Sequence, residues 1–297
     1  RWPVTVTGSS AAAASPEPQR RMAIEFHKMH GAGNDFVLVD ARGQEFNPDA
    51  GKAARIADRR FGVGCDQILV LRPADDEQHL LRYEIWNADG SLAGQCGNGA
   101  RCVALFVEIA GQYPGRPYTA ESPSGIVTMH RCDDGEYKVE MAVPAFEPEN
   151  VPVGLSPQGH RYRLDSPWGP LELGAVSMGN PHCLAVVDDI EDDRIPAMGS
   201  WLQANEAFSD GVNAGFAQVL GRDTIRLRVV ERGAGETLAC GTGACASVVI
   251  LHQWGLLDDS VNVHLPGGHL VIKWRGSGEA PLMKGPAKYV FRGIMDE

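Results

Sequence analysis

Alternating apolar and polar positions run through most of the chain and mark strands. Segments with β-branched or alternating character fall at 24–29, 36–40, 68–71, 81–87 and 125–130, and again at 171–177, 183–187, 212–219, 224–230, 269–274 and 288–293. Gly, Pro, Asn and Asp bound them, the residues that end strands and make turns. The short connections predict antiparallel or mixed pairing rather than a succession of βαβ units. Surface helices fit near 48–60 and 192–205. Two further segments break the alternation. Residues 99–110 (GARCVALFVEIA) and 243–252 (GACASVVILH) are helix-length and apolar on nearly every face, the mark of a helix enclosed by a core. The expected fold is α+β, with a curled, barrel-like mixed or antiparallel β-sheet around a central buried helix, made twice.

The doubling rests on an internal repeat. Cys96-Gly97-Asn98-Gly99-Ala100 returns as Cys240-Gly241-Thr242-Gly243-Ala244 at an offset of 144. Gly33-Asn34 returns as Gly179-Asn180, and Gln67 meets Asn213, both at 146. Each match alone is weak, since Gly-Asn is a common turn. Three in one order at nearly one spacing imply two pseudo-symmetric halves, roughly 22–140 and 141–285.

Composition narrows the function. A net charge of −11 without a Lys/Arg run lacks the basic footprint of a nucleic-acid partner. The longest apolar runs, at 103–107 and 247–251, are far too short to cross a bilayer, so no membrane association is expected. Residues 1–21, rich in Ala, Ser and Pro and without periodicity, read as a disordered extension or an expression remnant, with Met22 as a natural start. Seven cysteines, at 65, 96, 102, 132, 183, 240 and 245, form no CxxC and no Cys/His cluster of zinc spacing. A reducing cytoplasm and no metal are the simplest reading. Taken singly, each thiol is a small buried apolar group, and Cys65, Cys102, Cys132, Cys183 and Cys245 keep that reading.

Cys96 and Cys240 differ, because both precede glycine at the start of an apolar helix in a repeated motif. A helix start carries unpaired N–H groups and the positive end of the macrodipole. It binds carboxylate or phosphate through its backbone, and a thiol there is expected to have a lowered pKa. Two such starts facing each other form one composite site. A substrate carboxylate would be held by amides near Gly97, Asn98, Gly241 and Thr242, with its α-carbon between two sulfurs. One thiolate removes the α-proton and the opposite thiol returns a proton to the other face.

The motifs HGAGNDF (30–36), CDQ (65–67), NADGSLAGQCGNGARC (87–102), GNPH (179–182) and ERGAGETLACGTGA (231–244) closely resemble those of the diaminopimelate epimerases, from Met22 onward. The resemblance implies a cofactor-independent isomerase interconverting LL- and meso-diaminopimelate on the route to lysine and peptidoglycan. It implies catalytic Cys96 and Cys240, with His182 and Glu231 as supporting groups beside them. Substrate contacts are implied for Asn34, Gln67, Asn87, Gly97, Asn98, Asn180, Asn213, Glu231, Arg232, Gly241 and Thr242. It also implies a homodimer whose two domains close on the substrate, 22–140 with 286–297 and 141–285. A proline or hydroxyproline racemase shares the two-thiol logic, but Arg232 and the several asparagines suit a substrate polar at both ends. A thiol–disulfide oxidoreductase is disfavoured by the missing CxxC. A non-catalytic amino-acid-binding module would not need the sulfurs.

Overall fold

The computed structural model describes residues 23–296; residues 1–21 and Met22 lie outside the described residues. The chain runs β1 (Ala23–Gly31), β2 (Asn34–Asp40), α1 (Ala50–Ala57), β3 (Gln67–Arg72), β4 (Arg82–Asn87), α2 (Gly97–Ile109), β5 (Tyr118–Ser122), β6 (Gly125–Arg131) and β7 (Tyr137–Glu140). It continues through β8 (Tyr162–Ser166), β9 (Gly169–Ser177), β10 (Pro181–Val186), α3 (Ile195–Gln203), β11 (Asn213–Gly221), β12 (Thr224–Glu231) and β13 (Gly235–Thr237). It ends with α4 (Gly241–Gln253), β14 (Ser260–Leu265), β15 (Gly268–Lys273), β16 (Leu282–Gly285) and β17 (Lys288–Asp296).

All the strands join one mixed sheet. Pairing runs β17–β1–β2–β3–β4–β5–β6–β7, crosses to β16, and returns β16–β15–β14–β12–β11–β10–β9–β8. The short β13 adds to β12. The two runs match strand for strand, including their parallel pairs, β2–β3 with β10–β11 and β4–β5 with β12–β14. The fold is thus pseudo-symmetric, as the repeat predicts. Its curls do not close into barrels, because the antiparallel β7–β16 pairing carries the sheet from one half to the other.

Each curl wraps an apolar helix. α2 packs against β1, β2, β6, β7 and β17, and α4 against β9, β10, β11 and β15. The helices also touch each other, and one hydrophobic cluster spans both, from Phe36 and Val103 to Val248 and Leu270. Smaller clusters sit under α1, around Ile56 and Ile68, and under α3, around Leu202 and Phe216. Both apolar helices start two residues earlier than the hydrophobic pattern alone indicates, so that Cys96 and Cys240 are themselves the N-caps.

Met283 of β16, paired with Val139 of β7 at the join, explains the glycine that follows each cysteine. A Cβ on Gly97 would fall 2.1 Å from Met283 Cε, and one on Gly241 3.1 Å from Met283 Sδ. The methionine therefore wedges against both helix starts.

Candidate active site

Cys96 and Cys240 open onto one cleft of about 1010 Å³. Each sulfur caps its own helix: Gly99 N–H donates to Cys96 Sγ (3.3 Å) and Gly243 N–H to Cys240 Sγ (3.4 Å). Ser, Thr, Asp or Asn normally fills that position. Sulfur is the weaker acceptor, so the cap exchanges some helix stability for a thiol at the positive end of the dipole.

Their surroundings differ. The Cys96 thiol donates to Asn34 Oδ1 (3.7 Å). The Cys240 thiol donates to Glu231 Oε2 (3.0 Å) and lies 3.6 Å from Thr242 Oγ1. Thr237 donates to the other oxygen of Glu231. These contacts correct the expectation of lowered thiol pKa values. Burial pushes Cys96 up to about 11 despite the Gly99 N–H. Burial and then the Glu231 charge push Cys240 well above its ordinary value. Loss of water outweighs the helix field. The other thiols are free, and burial raises them too, Cys65, Cys183 and Cys245 to about 12.

Local turns place the remaining groups. Ala32 and Gly33 both take positive φ, 53° and 87°, the tight hairpin that glycine permits, and Asn34 follows at the cleft. The parallel start of β3 brings in Gln67, whose Nε2 donates to Asn87 Oδ1 (2.9 Å) at the end of β4. Gly179, φ 89°, sets Asn180 across the cleft. Asn34, Gln67, Asn87, Gly97, Asn98, Asn180, Glu231, Arg232, Gly241 and Thr242 all line the cleft. His182 and Asn213 do not; they lie buried behind it. His182 Nε2 contacts Asn180 Oδ1 (3.1 Å). Burial, aided by Arg232, takes its pKa down to about 3, leaving a neutral ring. Asn213 accepts from Arg232 N–H (3.0 Å) and donates to the Pro181 carbonyl (3.0 Å).

Sequence reasoning missed an ion-pair network at the cleft wall. Asp66 accepts from Asn34 Nδ2 (3.0 Å) and from Arg59 (2.6 Å), and Asp35 accepts from Arg59 (2.7 Å) and Lys28. Burial would raise Asp35, but hydrogen bonds from Arg59 and Lys28 win and hold it well below the carboxylate range. The signal was adjacency, since Asp35 follows Asn34 and Asp66 precedes Gln67. Gln95, directly before Cys96, was missed as well. Its Oε1, with Gln67 Oε1 and His30 Nδ1, is a buried atom without a hydrogen-bond partner, and all three residues line the cleft. Among the described residues no group of three or more His, Cys, Asp or Glu is placed to hold a metal ion, and no helix is long and apolar enough to cross a membrane.

Comparison with solved structures places the fold. A hydroxyproline epimerase from Agrobacterium vitis aligns with TM-score 0.69 at 16% identity, over 94% of this chain and 93% of that one. A PhzF-family phenazine biosynthesis protein from Bacillus anthracis aligns with TM-score 0.66 at 16% identity, over 92% and 99%. Sequence relatives are much nearer. Diaminopimelate epimerase of Xanthomonas euvesicatoria pv. vesicatoria (strain 85-10) is 48% identical over 271 residues, covering 91% of this chain and 95% of that protein. That of Thioalkalivibrio sulfidiphilus (strain HL-EbGR7) is 47% identical over 277 residues, covering 93% and 100%. The family model described as diaminopimelate epimerase matches residues 26–147 and 174–290. With both cysteine motifs inside the matched segments, the chain belongs to the diaminopimelate epimerase family.

Proposed function

We propose that the chain interconverts LL- and meso-diaminopimelate by proton transfer between Cys96 and Cys240, supplying meso-diaminopimelate for lysine and peptidoglycan precursors. The observation that carries this reading is the placement of two pseudo-equivalent cysteine N-caps on one cleft. The substrate α-carboxylate sits at the two helix starts, on amides of Gly97, Asn98, Gly241 and Thr242. Those donors also stabilise the charge that enters the carboxylate as the α-proton leaves.

The two sulfurs share one proton in the reactive state. Because burial favours the thiol at both positions, one proton must leave before reaction. Glu231, 3.0 Å from Cys240 Sγ, keeps the proton on that sulfur, so the proton that leaves to solvent through the cleft comes from Cys96. The thiolate then takes the α-proton, breaking C–H and forming S–H. The opposite thiol gives its proton to the other face, so the α-carbon inverts and the thiolate changes sides. No cofactor enters, because both proton carriers are side chains. In this reading His182 supports the site at one remove, holding Asn180 with a neutral ring, and Asn213 fixes the backbone of Arg232. Arg232, Glu231, Gln67, Asn87 and the asparagines receive the polar groups of the substrate. The partnerless atoms of Gln67, Gln95 and His30 support a polar ligand here, since buried polar atoms are rarely left unpaired.

The two domains are taken as 22–140 with 286–297, and 141–285. Homodimerisation is supported by the edge strand β17, which exposes Tyr289, Val290, Phe291 and Ile294. The free thiols suit a reducing cytoplasm.

The test is incubation of the purified protein with LL-diaminopimelate in D₂O. Expected is meso product carrying one deuterium at the inverted carbon. Racemisation of proline without turnover of diaminopimelate would overturn the substrate assignment in favour of a proline racemase, related in chemistry to the hydroxyproline epimerase that shares the fold.

A further inference from the structure

The repeat that builds the two helix starts is broken in charge. At matched positions Asn87 faces Glu231, Asn98 faces Thr242 and Arg101 faces Cys245. The half that carries Cys96 therefore has a cation where the other has a thiol, and an amide where the other has a carboxylate. Arg101 is the one Lys, Arg, Asp or Glu among the described residues that is buried, at 0% exposure. Burying an unpaired charge costs several kcal/mol, so its presence there needs a physical reason.

Its contacts are all to uncharged groups. Nη2 donates to Asn98 Oδ1 (2.8 Å), Nη1 to the Gly97 carbonyl (3.4 Å) and to Met283 Sδ (3.4 Å), and Nε to the Pro286 carbonyl (3.3 Å). Asn98, oriented by that bond, donates through Nδ2 to Asn34 Oδ1 (3.2 Å) and to the Ala239 carbonyl (3.1 Å). Asn34 Oδ1 is also the acceptor of the Cys96 thiol, and Ala239 precedes Cys240. A single guanidinium thus ties the Cys96 loop, through one carboxamide, to the loop that carries the other sulfur.

We infer that Arg101 is a positioning residue of the epimerisation site: its buried guanidinium fixes Asn98 as a strap between the two cysteine loops and supplies the positive charge that favours a thiolate at Cys96. The inference rests on the two-thiol reading and adds to it an asymmetry between the sulfurs. The titratable groups facing Arg101 are Cys96 and Cys102 from α2, Cys245 from α4 and, further off, Glu136 before β7. Those acting on Cys96 are Glu231, which opposes its thiolate, and then Arg101, which favours it; Tyr83 of β4 is the further titratable group that feels Cys96. Among the described residues no such cation acts on Cys240, and Glu231 beside it holds the proton on sulfur.

The test is iodoacetamide alkylation of the folded protein over a pH series, with each modified cysteine counted by peptide mass spectrometry, alongside kcat and KM on diaminopimelate. In Arg101→Met the Cys96 alkylation rate at pH 8 is expected to fall about tenfold, one unit of thiol pKa, with Cys240 unmoved. Asn98→Ala cuts the strap and keeps the charge, so kcat falls while the pH dependence of Cys96 alkylation stays. Unchanged Cys96 alkylation in Arg101→Met overturns the inference, as does an equal shift in Asn98→Ala. Should Arg101→Met not melt cooperatively, Arg101→Lys is read instead. One ammonium cannot reproduce the fork, so kcat falls at least tenfold; wild-type kcat and alkylation overturn the inference. Alkylation needs no turnover, so failure of the substrate assignment shows separately, as an inactive wild type.

Discussion

Replacing either cysteine by alanine separates chemistry from stability. In the proposed mechanism each sulfur is both proton carrier and helix cap, so Cys96→Ala or Cys240→Ala removes two things. The lost cap leaves one N–H, of Gly99 or Gly243, without its acceptor, at a cost of about 1 kcal/mol. The lost sulfur adds about 1 kcal/mol of burial at Cys240 and less at Cys96, which is partly open to the cleft. For a chain of this size about 2 kcal/mol lowers the melting temperature by about 4–8 °C. Such a protein is still folded at room temperature. The catalytic loss is of another order, because one positioned acid or base contributes about 10²–10⁴-fold and inversion needs both. We expect epimerisation to fall at least 10³-fold in either variant, measured by NMR of diaminopimelate in D₂O beside thermal melts. Each serine variant, which keeps an oxygen cap, is expected to melt near the wild type and still lose most activity. An alanine variant that melts as expected yet epimerises within tenfold of the wild type refutes the two-base scheme.

Acid lability follows from His182. Its folded pKa of about 3 lies below the ordinary 6.5, so protonation favours the unfolded chain: stability is complete above pH 6.5 and falls as pH drops toward 3. By pH 5 the loss is about 2 kcal/mol, and His182→Gln is expected to flatten the melting-temperature profile between pH 5 and 6.5; an unchanged slope contradicts the assignment. Gly90, φ 84°, has Ala50 O only 2.2 Å from where a Cβ would sit, so Gly90→Ala is expected to cost about 2–4 kcal/mol, read by urea titration. Ile294 on the edge strand is 70% exposed, and Ile294→Lys is expected to shift a dimer toward monomer in sedimentation; a wild type that sediments as monomer removes the dimer proposal. Activity is expected to need reductant, since two thiols on one cleft invite oxidation, and full activity with both thiols shown paired would contradict that.

Much of the fold was legible because its signals are local. The eleven strands read from alternation all occur, and the two all-round apolar segments are the enclosed helices. Tyr118–Ser122 carries little strand signal because YTAES hardly alternates, and Leu282–Gly285 because four residues are too few to establish a period. Ser260–Leu265 does alternate, buried at every second position, so its signal is present in the sequence. The cleft was legible for the same reason, since a repeated Cys-Gly-x-Gly is a local pattern that symmetry carries into space.

The thiol pKa values were not legible, and the reason is general. A helix start can be read from a few residues, and its field alone would lower a thiol pKa. Burial and neighbouring charge depend on groups distant in the chain: the Glu231 charge, 135 positions on, opposes the Cys96 thiolate. Burial and that charge together outweigh the helix field. They also act unequally: Glu231 raises both sulfurs but bonds directly to Cys240, while Arg101 opposes it at Cys96. Two identical thiols in a symmetric cleft would have no preferred holder of their single shared proton. Symmetry therefore brings the two sulfurs to one cleft, while the substitutions that break it set, in the proposed mechanism, which of them holds the proton before substrate binds.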